Sequence, residues 1–198
     1  MGEEELARHP FMYLVELFSK EEAIFYFSKY IYIPDALSDE RQIIKVPSHE
    51  MSVDWVLDQF RSLNEEQELA IHSTVKIKGR VMHIPMIDFS IEEGIDGNIF
   101  QRMNNFLPKK VLENIVFFDS GRSYHAYSDR LLRPSEWINF MGRLLLINLK
   151  NSNEIVDSRW IGHRLLGGYS SLRWSNNTAQ YLSIPTSYRL SAKHLVRV

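Results

Sequence analysis

The sequence predicts an α+β fold, in which an antiparallel or mixed sheet carries the polar residues and helices back it. Three observations carry that prediction. Two pairs of apolar, β-branched or aromatic runs are each joined by a short glycine turn, at residues 71–77 and 80–89 and at residues 116–118 and 124–127. Segments with helical spacing of apolar residues lie before, between and after them. No apolar run reaches the length of about 18 residues that a membrane-spanning helix needs, so no membrane association is expected.

The elements follow in order. Residues 5–32 hold dense apolar positions, among them Leu14, Leu17, Phe18, Ile24, Phe25, Phe27, Tyr30 and Ile31, and Ser19 with Glu22 forms a capping-box pattern. This stretch is expected to form two short helices, or one interrupted at Ser19. A loop with a short strand at residues 43–46 follows. Val53, Val56, Leu57, Phe60 and Leu63 then recur at helical spacing, with Asp54 and Asp58 on the other side. Residues 71–77 alternate, Lys78 and Gly79 turn the chain, and residues 80–89 return as a longer strand. Pro85 is awkward there, because it cannot donate to a ladder and prefers an edge or a bulge. Residues 98–106 read as a helix stopped by Pro108, residues 116–118 as a buried strand, and residues 124–127 as its return after Gly121. Pro134 opens a helix to residue 148, at a place where a missing N–H costs least. The remainder, through residues 172–174 and 180–184, mixes a short helix with two or three strands.

A chain of 198 residues can bury one core, and its 12% aromatic content argues for packing over disorder. The absence of cysteine excludes disulfides, thiolate zinc sites and cysteine nucleophiles together. The acidic start Met-Gly-Glu-Glu-Glu has the wrong sign for a signal peptide, so a cytoplasmic location is expected. The net charge of −2 conceals a division: residues 1–100 hold 9 Lys/Arg against 19 Asp/Glu, and residues 101–198 hold 14 against 6. Ten of those 14 cations are arginines, whose planar fork binds phosphate oxygens in pairs. The division points to a polyanionic partner for the second half, or to two halves that pair with each other in the fold.

Candidate site residues stand at the ends of apolar runs. Asp88 closes Ile-Pro-Met-Ile-Asp, and Ser90 and Glu92 share its face if the chain stays extended. Carboxylates so placed suit hard cations such as Mg²⁺ or Mn²⁺, although a strand ending in a solvated acid is common. In Ser120-Gly121-Arg122-Ser123-Tyr124-His125, Gly121 permits a left-handed turn whose N–H groups can cradle phosphate. Ser120 and Ser123 add hydroxyls there, and Arg122 and His125 add cationic or donor groups; a plain hairpin with a polar exposed side is the alternative. Asp157 follows Ile155-Val156 and precedes an Arg-rich segment that includes Arg164 and later Arg173. His163 reads as a helix-surface or packing residue, and Trp160 and Trp174 as core more than as base-stacking platforms.

An acid at a strand end, a Gly-turn into Ser-x-His, and a later hydrophobic-hydrophobic-Asp segment resemble, in this order, the catalytic core of the archaeo-eukaryotic primase (primase-polymerase) superfamily. The resemblance covers roughly residues 70–185, with Leu172-Arg173-Trp174 similar to a segment that places an Arg near the nucleotide. It implies a palm-like (RRM-like) sheet in one primase-like domain over residues 1–198, with residues 1–69 a variable N-terminal helical α/β unit and residues 70–198 the motif-bearing sheet core. It implies Asp88 and Asp157 as metal ligands for Mg²⁺ or Mn²⁺; Glu92 or Glu93, two or three residues past Ser90, is the candidate accessory catalytic acid. Ser120, Arg122, Ser123, His125, Arg164 and Arg173 are then the nucleotide-binding residues. The expected chemistry is two-metal nucleotidyl transfer from nucleoside triphosphates on a single-stranded nucleic-acid template, with an accessory protein subunit or helicase as partner. The sequence departs from the family's pattern at Ser90, where a second acid is expected. A catalytically degenerate primase-like subunit that binds nucleotide or single-stranded nucleic acid, and an unrelated interaction domain, are the competing readings.

Overall fold

A computed structural model describes residues 2–20, 22–33, 36 and 40–188 of the chain. The elements run α1 (Glu3–Ala7), α2 (Pro10–Phe18), β1 (Ala23–Ile31), β2 (Arg41–Pro47), α3 (Val53–Arg61), β3 (Gln67–Ile77), β4 (Arg80–His83), β5 (Met86–Asp88), α4 (Gly97–Phe106), α5 (Lys109–Leu112), β6 (Ile115–Asp119), β7 (Tyr124–Ser128), α6 (Pro134–Leu145), α7 (Ser158–Gly167), β8 (Ser171–Arg173) and β9 (Thr186–Tyr188). They build two antiparallel sheets backed by helices, as the alternation and spacing predict. Among the described residues no helix is long and apolar enough to cross a membrane.

The first sheet has the order β2-β1-β3-β4, and β3 is long enough to use one edge twice. Its residues Ala70–His72 pair with β8 and Thr74–Ile77 pair with β4. The second sheet has the order β5-β7-β6-β9. The expected strand over residues 80–89 is therefore two strands in two sheets, and the chain changes sheet at Ile84-Pro85. There Pro85 keeps only the bond it can make, accepting from the Ser128 N–H at 3.1 Å. The proline that was awkward in one strand marks the crossover between two.

The expected helix over the second part of residues 5–32 is a strand. Ser19 ends α2 and spends its hydroxyl on the Glu16 carbonyl at 2.8 Å, so it caps nothing downstream. Glu22 takes a left-handed φ of 55°, and β1 then alternates inward Ala23, Phe25 and Phe27 with half-buried neighbours. An aromatic and β-branched run satisfies a period of two better than a helix. β1 joins β2 and β3, so residues 23–31 and 41–47 belong to the same sheet as residues 67–77. Residues 180–184, expected as a strand, form turns and bends before β9.

Trp174 is fully buried at the centre of an aromatic cluster, edge-on to Phe11, Phe18 and Phe27. His9 packs on the same indole and anchors α2 by both ring nitrogens. Nδ1 accepts from the Phe11 N–H at 3.1 Å, and Nε2 donates to the Trp174 carbonyl at 2.9 Å. That arrangement uses the neutral ring. Burial, reinforced by the charge of Arg173 and partly offset by the Trp174 carbonyl, lowers its pKa from 6.5 to about 4. His83 is likewise lowered to about 4 by burial.

The unfolded chain takes up these protons first, so the stability they contribute is complete above about pH 6.5 and declines as the pH falls toward about 4. For His9 the loss is on the order of 3 kcal/mol. His9→Asn keeps a capping oxygen but does not titrate, and should give a shallower decline of melting temperature over that window. An unchanged acid limb would contradict the role given to His9.

Candidate active site

Asp88 is the last residue of β5 and pairs with His125 of β7. One residue on, Phe89 forms an isolated antiparallel bridge with Val156. The Ser90 N–H donates to the Ile155 carbonyl at 3.0 Å, and the Asp157 N–H donates to the Asp88 carbonyl at 3.0 Å. Two acids 69 positions apart in sequence are thus joined through backbone. Asn148 holds the second segment in place: its Oδ1 accepts from the Ile155 and Val156 N–H groups at 2.9 Å each, and its Nδ2 donates to the Val156 carbonyl at 2.9 Å. Asp157 then caps α7, accepting from the Trp160 N–H through Oδ1 at 2.7 Å.

These acids open on a cleft of about 350 Å³, a size suited to a small ligand. Asp88, Ser120, Arg122, Ser123, His125, Asp157, Arg164 and Arg173 all line it. Glu92 does not. The strand ends at Asp88, the chain bends away, and both Ser90 and Glu92 are exposed, so the expected shared face of Asp88, Ser90 and Glu92 does not form.

Electrostatics in the cleft favour uncharged forms until a cation arrives. The Asp88 carboxyl is pushed up to about 8, first by burial and second by the charge of Asp157, with Arg173 and Arg164 opposing. His125 is pushed down to about 3 by burial and by Arg173. Its Nε2 lies 3.7 Å from Asp88 Oδ1, too far for a hydrogen bond, and its buried Nδ1 has no partner among the described residues. A divalent cation beside Asp88 and Asp157 would reverse the repulsion that raises Asp88. Among the described residues no three His, Cys, Asp or Glu side chains group as a metal site. Two carboxylates still match the way Mg²⁺ is commonly held, by one or two acids together with water and substrate phosphate.

The hairpin between β6 and β7 is tied from inside. Asp119 Oδ1 accepts from the Gly121 N–H at 2.7 Å, and the Ser120 N–H and hydroxyl both donate to the Ser123 carbonyl, at 2.9 and 3.0 Å. The Ser123 hydroxyl donates to the Phe89 carbonyl. The Ser120 hydroxyl therefore closes the turn on itself and the Ser123 hydroxyl ties it to the residue after β5, and the exposed Arg122 is the side chain of this loop most open to a ligand. Gly121 has a φ of +104°, and a Cβ there would meet Ser183 Oγ at 2.9 Å and the Ser183 nitrogen at 3.0 Å.

Arg173 is 5% exposed, and its fork ties together three segments. It donates to the carbonyls of Ser120 at 2.7 Å, Ser183 at 3.1 Å and Ser175, and its guanidinium stacks on the Tyr181 ring at 4.1 Å. Arg164 donates to the Ser171 hydroxyl at 2.7 Å. Arg159, Trp160, His163, Tyr30, Tyr32 and Tyr181 also line the cleft. Sequence reasoning had set Trp160 and His163 aside as packing residues and had given Arg159, Tyr30 and Tyr32 no site role.

The α+β fold thus brings two acids and several arginines to one cleft. The profile of the AEP-like family, archaeo-eukaryotic primase 1D-like, matches residues 47–186, and the chain belongs to that family. No curated protein and no solved structure matches it. Membership establishes a primase-like nucleotidyltransferase fold and a nucleotide- or nucleic-acid-related function; primases of this kind generally use divalent metals.

Arg173→Lys keeps the charge but not the fork, leaving buried carbonyls without donors. It should lower the free energy of unfolding in urea by about 2–4 kcal/mol. Wild-type stability in that variant would contradict the clamp.

Proposed function

We propose that the cleft binds a nucleoside triphosphate with Mg²⁺ or Mn²⁺ and transfers its nucleotidyl group to a 3′ end on a single-stranded nucleic-acid template. The observation that carries this reading is the convergence of Asp88 and Asp157, through the Phe89–Val156 bridge, in one cleft with Arg122, Arg159 and Arg164. Asp88 and Asp157 would hold the cation; when bound, it neutralises charge that develops on the phosphates during displacement of pyrophosphate. Arg122 and Arg164 supply fixed positive charge for phosphate oxygens. His125 presents a neutral imidazole, which can donate a hydrogen bond without adding charge to the site. Arg173 contributes its field, while its hydrogen bonds keep the hairpin in place.

A second reading is supported by the exposure of Ser90 and Glu92 outside the cleft. Among the described residues Asp88 and Asp157 are the carboxylates of the lining, which suffice for one cation and fall short of the charge that two bridged cations require. A chain of this kind would bind nucleotide or single-stranded nucleic acid as a degenerate subunit, beside an accessory subunit or helicase.

Incorporation of labelled nucleoside triphosphates on a primed single-stranded template with Mn²⁺ separates the two. The proposed activity predicts synthesis that falls at least about 100-fold in Asp88→Asn and in Asp157→Asn. No synthesis, with nucleotide binding retained and weakened by His125→Ala, supports the degenerate reading and overturns the first.

A further inference from the structure

The acids and arginines account for only part of the cleft. Another part is apolar and aromatic: Tyr30 from β1, Tyr32 and Ile33 just after it, with Tyr181 and Leu182 from the turn before β9. The three tyrosines are contiguous. The Tyr30 and Tyr181 hydroxyls lie 3.4 Å apart, and the Tyr32 and Tyr181 rings form a corner at 63° with centroids 6.5 Å apart. Three of the five are nonetheless open to solvent, Tyr32 at 45%, Ile33 at 49% and Leu182 at 64%. Apolar surface left in water beside a charged cleft is the mark of a site for an amphipathic ligand.

We propose that Tyr32, Ile33, Tyr181 and Leu182 form the wall against which the nucleobase of the bound nucleoside triphosphate packs. The inference rests on the nucleotide reading above and adds where the base goes. A nucleoside triphosphate is itself divided, with a polyanion at one end and a flat aromatic ring at the other. The lining is divided in the same way. One ring of the wall is held in place: Arg173 stacks on Tyr181 at 4.1 Å, and the Tyr181 hydroxyl lies 3.4 Å from that of Tyr30, which Arg41 covers at 4.3 Å. Rings fixed in advance lose little conformational freedom on stacking. Stacking recognises any base, so the wall should discriminate weakly among the four.

Tyr30, Tyr32 and Ile33 precede residue 47, where the family match begins. The base-facing wall is therefore contributed in part by the two residues that follow β1, outside the matched core. β3 lies between β1 and β8, pairing with β1 along one edge and with β8 along the other.

The test is calorimetric titration in Mn²⁺ with ATP, inorganic tripolyphosphate and an oligo(dT), on wild type, Tyr32→Phe and Tyr32→Ala/Leu182→Ala. Both replaced side chains are substantially exposed, and thermal melting checks that the double variant remains folded. Wild type should bind ATP about tenfold more tightly than tripolyphosphate. The double variant should lose that margin while keeping its affinity for tripolyphosphate, and Tyr32→Phe should retain the margin. Equal binding of ATP and tripolyphosphate by wild type would overturn the wall and leave the phosphate site standing. Binding of neither would overturn both readings. A loss confined to oligo(dT) would assign the wall to a strand and overturn its assignment to the nucleotide.

Discussion

The cleft depends on a short stretch of backbone pairing between residues 88–90 and 155–157. The Asp88 carbonyl accepts from Asp157 and the Ile155 carbonyl accepts from Ser90, with the Phe89–Val156 bridge between them. Side chains alternate faces along an extended chain, so a slip of one residue on either side would turn an acid away from its partner. Asn148 guards against that slip by satisfying both N–H groups of Ile155 and Val156 with one oxygen. From this pairing follow the start of α7, which Asp157 caps, and the placing of Arg159, His163 and Arg164 on the cleft lining.

A second constraint is the management of charge with little water. Among the described residues no carboxylate bonds to the fork of the buried Arg173, and carbonyl oxygens from three segments take that place. Its positive charge reinforces the burial that keeps His125 neutral and opposes the rise at Asp88. The acids repel one another in the absence of a cation. The site is thus electrostatically complementary to a cation joined to a polyanion, rather than to either one alone. The serines of the hairpin serve this arrangement indirectly, spending their hydroxyls on the turn and on Phe89.

Much of this was legible in the sequence. The order Asp88, Ser-x-His, Asp157 located the acids and the hairpin, and the glycine turns and strand alternation located β3 and β6 with their returns. Pro85 signalled an irregularity whose meaning, a change of sheet, depends on long-range pairing that no local pattern states. Residues 23–31 were misread because their apolar density fits a helix and a strand alike, and Ser19 with Glu22 imitated a cap. With β1 misassigned, nothing placed Tyr30 and Tyr32 at the cleft. Asn148 and the clamp role of Arg173 were likewise hidden, since both act on backbone groups distant in sequence.

The central claim is that Asp88 and Asp157 act together on one cation. Electron paramagnetic resonance of Mn²⁺ titrated into the protein with a nucleoside triphosphate tests it most directly. Asp88→Asn and Asp157→Asn, which keep shape and, at Asp157, the helix cap, provide the comparison. The account predicts one bound Mn²⁺ per chain in wild type and loss of that binding in either variant. Mn²⁺ bound equally by wild type and both variants would contradict it.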